Sequence, residues 1–149
     1  MMKDKNPEPQ LPPETQTGAN TFGCRVTGQV WTYKPSTNPG HIGLDADYSG
    51  GGMYVLAKRG DTAIKIDFSS GGITQLGEYM LYTDSSEIYY AVNPVPYYTD
   101  SVTNGILTMT RIDTVNSILS GRFYFTGISY LGDTVRITDG RFDVKFRYP

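Results

Sequence analysis

Apolar and polar residues alternate most clearly near the end of the chain. From Arg141 onward, Phe142, Val144, Phe146 and Tyr148 share one parity, and Arg141, Asp143, Lys145 and Arg147 share the other. Successive side chains of a strand point to opposite faces, so this pattern predicts a half-buried antiparallel strand with a wet outer side. Phe123, Phe125, Phe142 and Val144 are the core positions it predicts. The parity changes at Asp139-Gly140, because Val135 and Ile137 are the apolar positions before it. A straight strand cannot change parity without turning every side chain to the other face. Two arrangements repair this. Asp139-Gly140 is a two-residue hairpin turn, which would set Ile137 opposite Phe142 and Arg136 opposite Asp143. Alternatively, Gly140 sits in a bulge within one long strand. The hairpin is preferred. A short echo, Ser120-Gly121-Arg122-Phe123 against Asp139-Gly140-Arg141-Phe142, fits strands opened by glycine in a meander.

Earlier in the chain the same alternation recurs in short pieces. Thr21 to Tyr33 reads as a hairpin about Thr27-Gly28, with Cys24 opposite Trp31. Leu44 to Gly52 is a short segment ending in glycines. Met53 to Lys58 and Thr62 to Phe68 form a hairpin around Arg59-Gly60-Asp61. Gly77 to Tyr82 and Glu87 to Val92 read as another pair. Asn93-Pro94-Val95-Pro96 blocks pairing and suits an edge or a crossing loop. Tyr97 to Thr103 is a candidate edge strand, and Asn104-Gly105 turns into Ile106 to Ile112. About ten short strands at this spacing, with no sustained 3.6-residue periodicity, predict an all-β fold. The expected architecture is an antiparallel two-sheet β-sandwich, with a closed or partly open β-barrel as the alternative. Residues 1–20 are polar and Pro-rich and read as an extended tether. Leu11-Pro12-Pro13 is its one segment able to dock at an edge. Residues 21–149 form one all-β domain.

Composition narrows the function classes. The 17 glycines, 9 prolines and 12 tyrosines favour turns and strands. A net charge of −2 and a pI near 5.3, with charges well mixed, argue against nucleic acid as a partner. One cysteine cannot close an internal disulfide. No apolar run reaches the ~18 residues of a membrane span, and the polar start does not read as a signal peptide.

No catalytic set stands out. Asp45-x-Asp47-x-Ser49-Gly50 matches the start of a calcium loop, but the twelfth position is Leu56 where a bidentate acid is required. Arg59-Gly60-Asp61 spells a receptor-read tripeptide and is also plain turn chemistry. His41 has no partner at ligand spacing. Cys24, in a strand beside Trp31, reads as an inert core thiol rather than a nucleophile. Asp84 with Glu87, and Asp139 with Asp143, are the acid pairs near enough in sequence to consider for glycosidic chemistry; they read as solvated turn acids. No metal site and no cofactor is expected. Tyrosine is the residue type with a positive signal. Tyr89-Tyr90 and Tyr97-Tyr98 are adjacent pairs, so one of each faces outward. Tyr89, Tyr98, Tyr124 and Tyr130 are the candidate ligand-binding residues, because rigid amphipathic rings bind sugars and peptides.

Two longer motifs carry a resemblance. Leu11-Pro12-Pro13-Glu14-Thr15-Gln16-Thr17-Gly18-Ala19-Asn20-Thr21-Phe22-Gly23-Cys24 followed by Gly28-Gln29-Val30-Trp31, and the ending Ile137-Thr138-Asp139-Gly140-Arg141-Phe142-Asp143-Val144, resemble a family of uncharacterised lipoproteins from Bacteroidetes bacteria. The resemblance implies an exported β-domain of the cell envelope, at the periplasm or outer-membrane surface. It would meet the membrane only through a lipid anchor absent from this chain. It implies no activity. The expectation is therefore a monomeric, non-catalytic binding or structural module, with a glycan or an envelope protein on an exposed aromatic face. The alternative is a small barrel carrying an apolar ligand.

Overall fold

The computed structural model describes residues 10–35 and 43–147. It is all-β, with eleven strands in one curled antiparallel sheet. The strands are β1 (Thr21–Val26), β2 (Gln29–Thr32), β3 (Leu44–Ser49), β4 (Gly52–Arg59), β5 (Thr62–Phe68), β6 (Gly77–Met80), β7 (Glu87–Val92), β8 (Val95–Tyr98), β9 (Ile106–Asp113), β10 (Ile118–Ile128) and β11 (Thr134–Lys145). The main path runs β2-β1-β11-β10-β8-β7-β5-β4-β3, and β6 joins through β9 to β10. Sandwich and partly open barrel both describe this curl.

The curl follows from contacts between strands far apart on that path. Past β11 the chain reaches β3, where the Arg147 amide donates to the Ala46 carbonyl at 2.9 Å. Past β2, the Lys34 amide donates to the Lys58 carbonyl at 2.9 Å, and within β2 the Trp31 indole donates to the Thr62 hydroxyl at 2.8 Å. The other device is a fork on β10. One edge of β10 pairs with β11, while the opposite edge takes β9 over Ile118–Tyr124 and then β8 at Ile128 alone. Leu81 sits in the fork, its amide donating to the Gly105 carbonyl and its carbonyl receiving the Thr99 hydroxyl.

Asp139-Gly140 is a bulge, not the preferred hairpin turn. β11 runs through it unbroken, with Asp139 at φ 52°. Ladder register slips there against both neighbours, between Phe123 and Phe125 on β10 and between Gly23 and Arg25 on β1. The extra residue changes parity in place, so Val135 and Ile137 before it and Phe142 and Val144 after it all face the interior. A local turn signal lost to two flanking ladders.

Other pairings differ from expectation. β6 pairs with β9 rather than β7. Val95-Pro96 are not excluded from the sheet: β7 and β8 are a tight hairpin about Asn93 and cis-Pro94, with Val92 opposite Val95. The expected β1–β2 hairpin is present, with Thr27 and Gly28 both at positive φ as a two-residue turn requires, and Cys24 opposite Trp31. Cys24 is fully buried, and burial pushes its thiol up to about 12.

The echo between β10 and β11 has a packing meaning. Gly121 lies opposite Phe142 and Gly140 opposite Phe123. A Cβ on Gly140 would stand 2.5 Å from the Phe123 ring, and one on Gly121 would stand 2.8 Å from that of Phe142. Each copy's glycine thus makes room for the other copy's phenylalanine. With Phe22, these rings form a cluster whose centroids lie 5.2–6.3 Å apart.

The segment expected as a tether is, over residues 11–20, a strap across the outer face of β10 and β11. It closes over Asp143, which is not a solvated turn acid but is 1% exposed. One oxygen of Asp143 accepts from the Thr15 hydroxyl at 2.6 Å and the Thr17 and Ala19 amides at 3.0 and 3.1 Å. The other accepts from the Gly18 amide and the Ser120 hydroxyl, both at 2.8 Å. A mostly polar segment is fixed through its amide and hydroxyl donors. Residues 1–9 and His41 lie outside the described residues.

Candidate functional site

The outer face of β4, β5, β7 and β8 brings aromatic and charged side chains together. Register aligns them in two rows. Leu56, Lys65, Tyr89 and Tyr98 stand opposite one another across four strands, and Tyr54, Asp67 and Glu87 form the next row. Strand alternation places them outside because Val55, Ile64, Ile66, Ile88 and Tyr90, of the other parity, fill the interior.

Lys65 organises this face. Its ammonium lies 5.8 Å from the centre of the Tyr54 ring and 5.7 Å from that of Tyr89. It also meets Glu87 Oε1 at 3.2 Å and Asp67 Oδ2 at 3.6 Å. Partial burial disfavours the ammonium, but the Glu87 hydrogen bond and the surrounding negative charge outweigh that and raise the Lys65 pKa. Burial raises the Tyr54 and Tyr89 hydroxyls in turn, against the opposing pull of Lys65. A cation between two rings holds both in place, at about 0.5–1 kcal/mol per exposed contact. Tyr98 then packs edge-on against Tyr89, with centroids 5.5 Å apart and planes at 79°.

Two depressions flank this ridge. One of about 430 Å³ is lined by Lys58, Asp61, Tyr89, Pro96 and Tyr98. The other, about 450 Å³, is lined by Asp45, Asp47, Tyr48, Tyr54 and Ser69. Ring faces beside carboxylates and hydroxyls suit a ligand with both apolar C–H faces and hydroxyl groups.

The sequence candidates are thereby sorted. Tyr89 and Tyr98 meet on this face. Tyr124, 53% exposed, lies four residues from Ile128, the residue opposite Tyr98; at ~3.3 Å per residue that is about 13 Å along β10. Tyr130, 80% exposed, sits in the turn after β10. Among the described residues neither makes a ring contact with Tyr89 or Tyr98, whose ring pair is with each other. Lys65 and Tyr54 were not singled out from sequence; only register brings them to Tyr89. Asp45 and Asp47 lie on an extended strand and take Arg147 at 2.5 and 3.7 Å, which is not the wrap of a calcium loop. Among the described residues no group of three His, Cys, Asp or Glu is placed to hold a metal. Arg59-Gly60-Asp61 is the β4–β5 turn, with Gly60 at φ 58°. Asp139 pairs with Arg25 at 3.3 Å and Asp143 is sealed under the strap, so these two acids do not converge.

A family model described as a domain of unknown function, DUF6252, matches residues 42–144. The chain belongs to this family. The DUF6252 match takes in β3 to β10 and nearly all of β11, and so the whole Lys65 ridge. β1 and β2 precede the match yet pair within the same sheet. No curated protein matches the chain, and no solved structure does.

Proposed function

We propose that this DUF6252 domain is a non-catalytic glycan-binding module of the cell envelope, reading its ligand on the Tyr89–Tyr98 face. The observation that carries the reading is the pre-set aromatic ridge, in which Lys65 fixes Tyr54 and Tyr89, Tyr98 extends the surface, and a groove of about 430 Å³ runs alongside. Pre-set rings lose little freedom on binding, which favours affinity from a small contact area. An outer site is favoured over an apolar ligand inside, because Phe22, Phe123 and Phe142 occupy the interior beneath β10 and β11.

Thermal unfolding against oligosaccharides and fatty acids tests this. A ligand binding only the folded state at 100 times its Kd adds ~2.7 kcal/mol, a shift of several degrees. The expected result is a sugar-specific shift, with Kd raised about tenfold or more in Tyr89→Ala and in Tyr98→Ala. A shift by fatty acids alone would overturn the outer-face reading in favour of an internal site.

The envelope placement rests on the lipoprotein resemblance of Leu11–Trp31 and Ile137–Val144. Fractionation of cells producing the full-length natural protein should recover it with envelope membranes, released by detergent and not by salt. Recovery in the cytosol would refute the placement.

A further inference from the structure

A second polar surface lies apart from the Lys65 ridge, on the outer face of β10 and β11. Arg122 and Arg141 stand directly opposite each other across the ladder. Like charges so placed destabilise a sheet unless something lies between or over them. Their counter-charges are incomplete. Glu14 of the strap is 3.8 Å from Arg122, with both side chains about half exposed. Arg141 donates only to main-chain oxygens, that of Asp139 at 3.1 Å and that of Pro12 at 3.3 Å. No carboxylate among the described residues lies within ion-pair distance of it. Asp139, the acid beside them, is taken by Arg25 at 3.3 Å. Asp143, two residues along the same face, receives the strap's donors and Ser120 rather than a guanidinium.

The arginines also line a depression of about 220 Å³, which Glu14, Thr108, Tyr124 and Asp139 complete. The strap forms one wall and the exposed Tyr124 ring another. The Asp139 and Pro12 carbonyls each take one Arg141 donor, which holds that guanidinium and leaves three of its five N–H groups for another acceptor.

We propose that this groove is a binding site for an oxyanion, a carboxylate, sulfate or phosphate group, held between the guanidinium forks of Arg122 and Arg141. Planar forks match such anions in two-point geometry, which an ammonium cannot. Tyr124 gives the site an apolar wall for whatever carries the anion, so an acidic sugar fits better than a bare ion. The site is independent of the Lys65 ridge, so either stands if the other fails.

The test follows the Nε–H resonances of Arg122 and Arg141 by NMR during titration of the full chain. The probes are sodium sulfate, sodium glucuronate and vesicles containing an anionic phospholipid, with sodium chloride at matched ionic strength as the reference. The expected result is saturable shifts with sulfate and glucuronate beyond the chloride reference. Arg122→Gln and Arg141→Gln should each abolish the saturable change at the remaining arginine, while Arg25→Gln should leave it intact. Glu14→Gln should tighten binding about twofold to fivefold, the size expected from removing a competing surface carboxylate. A purely strap-fastening role for the arginines would not give that gain. Response to vesicles alone would assign the anion to a lipid headgroup and keep the site. No saturable response to any probe, or a saturable response that persists undiminished in both arginine variants, would overturn it.

Discussion

Replacing Phe142 by Ala is expected to lower the unfolding free energy by about 3–5 kcal/mol, read from the denaturation midpoint at an unchanged denaturant slope. Phe142 is 2% exposed. Its ring lies 6.3 Å from those of Phe22 and Phe123, and it covers the bare backbone of Gly121. Truncation therefore opens a void that a glycine cannot help to fill. The reciprocal pair makes the argument sharper. Gly140→Ala should also destabilise, because the three heavy atoms nearest its new methyl are all Phe123 ring atoms, at 2.5–2.6 Å. In a Phe123→Ala background that clash is gone, so the Gly140 substitution should cost much less there than alone. A double-mutant cycle reads this coupling directly. Additive costs, or a loss below ~1 kcal/mol for Phe142→Ala, would refute the interlocking of the two copies.

That pair shows where the sequence was legible and where it was not. Alternation alone identifies Phe123, Phe125, Phe142 and Val144 as interior, because burial on one face of a strand is written at period two. The echo of Gly-Arg-Phe is visible too. Its meaning is not, since it depends on β10 and β11 pairing so that residues 121 and 140 each meet the other copy's ring. The parity change at Asp139-Gly140 is likewise plain, but both a hairpin and a bulge explain it from one strand, and local turn chemistry favours the hairpin. Only the ladders with β1 and β10 choose between them. β6 took β9 as its partner for the same reason, since pairing across distant sequence is set by the curl of the sheet.

At the candidate site the doubled tyrosines show that one of each pair faces outward, and the register with a buried Tyr90 shows that Tyr89 and Tyr98 are the ones. Lys65 was not legible, although it binds the face together. It is an ordinary outward lysine until β5 is set beside β7. The strap was missed for a different reason. Polar composition argues against burial of side chains, and says nothing about a run of amides and hydroxyls converging on one carboxylate.

The strap yields the second large expected effect. Asp143→Ala should cost about 3 kcal/mol or more, since hydrogen bonds to a charged group are each worth about 1.5–3 kcal/mol and several donors lose their acceptor together. Burial of Asp143 works against its ionisation, but the hydrogen bonds from Thr15, Ala19, Ser120 and Gly18 outweigh it and hold the carboxyl well below the usual carboxylate range. The sign of the pH effect follows. A carboxyl whose pKa is lower folded than unfolded binds protons more readily in the unfolded chain. Its contribution is complete above the unfolded value, near 3.9, and is lost as pH falls below it. Acid should thus release the strap while leaving the aromatic core in place. Asp113 and Asp100 are also shifted down by the donors of their own turns, so the difference between the native chain and Asp143→Asn isolates this one group. Asn keeps one acceptor but turns an amide group toward the N–H groups of the strap, and it does not titrate. Hydrogen exchange at the Thr17, Gly18 and Ala19 amides is the readout. In the native chain their protection should fall as pH drops below about 4, after correction for intrinsic rates. In Asp143→Asn it should already be low at neutral pH and change little. Equal protection in the two chains at neutral pH would mean that the carboxylate does not hold the strap.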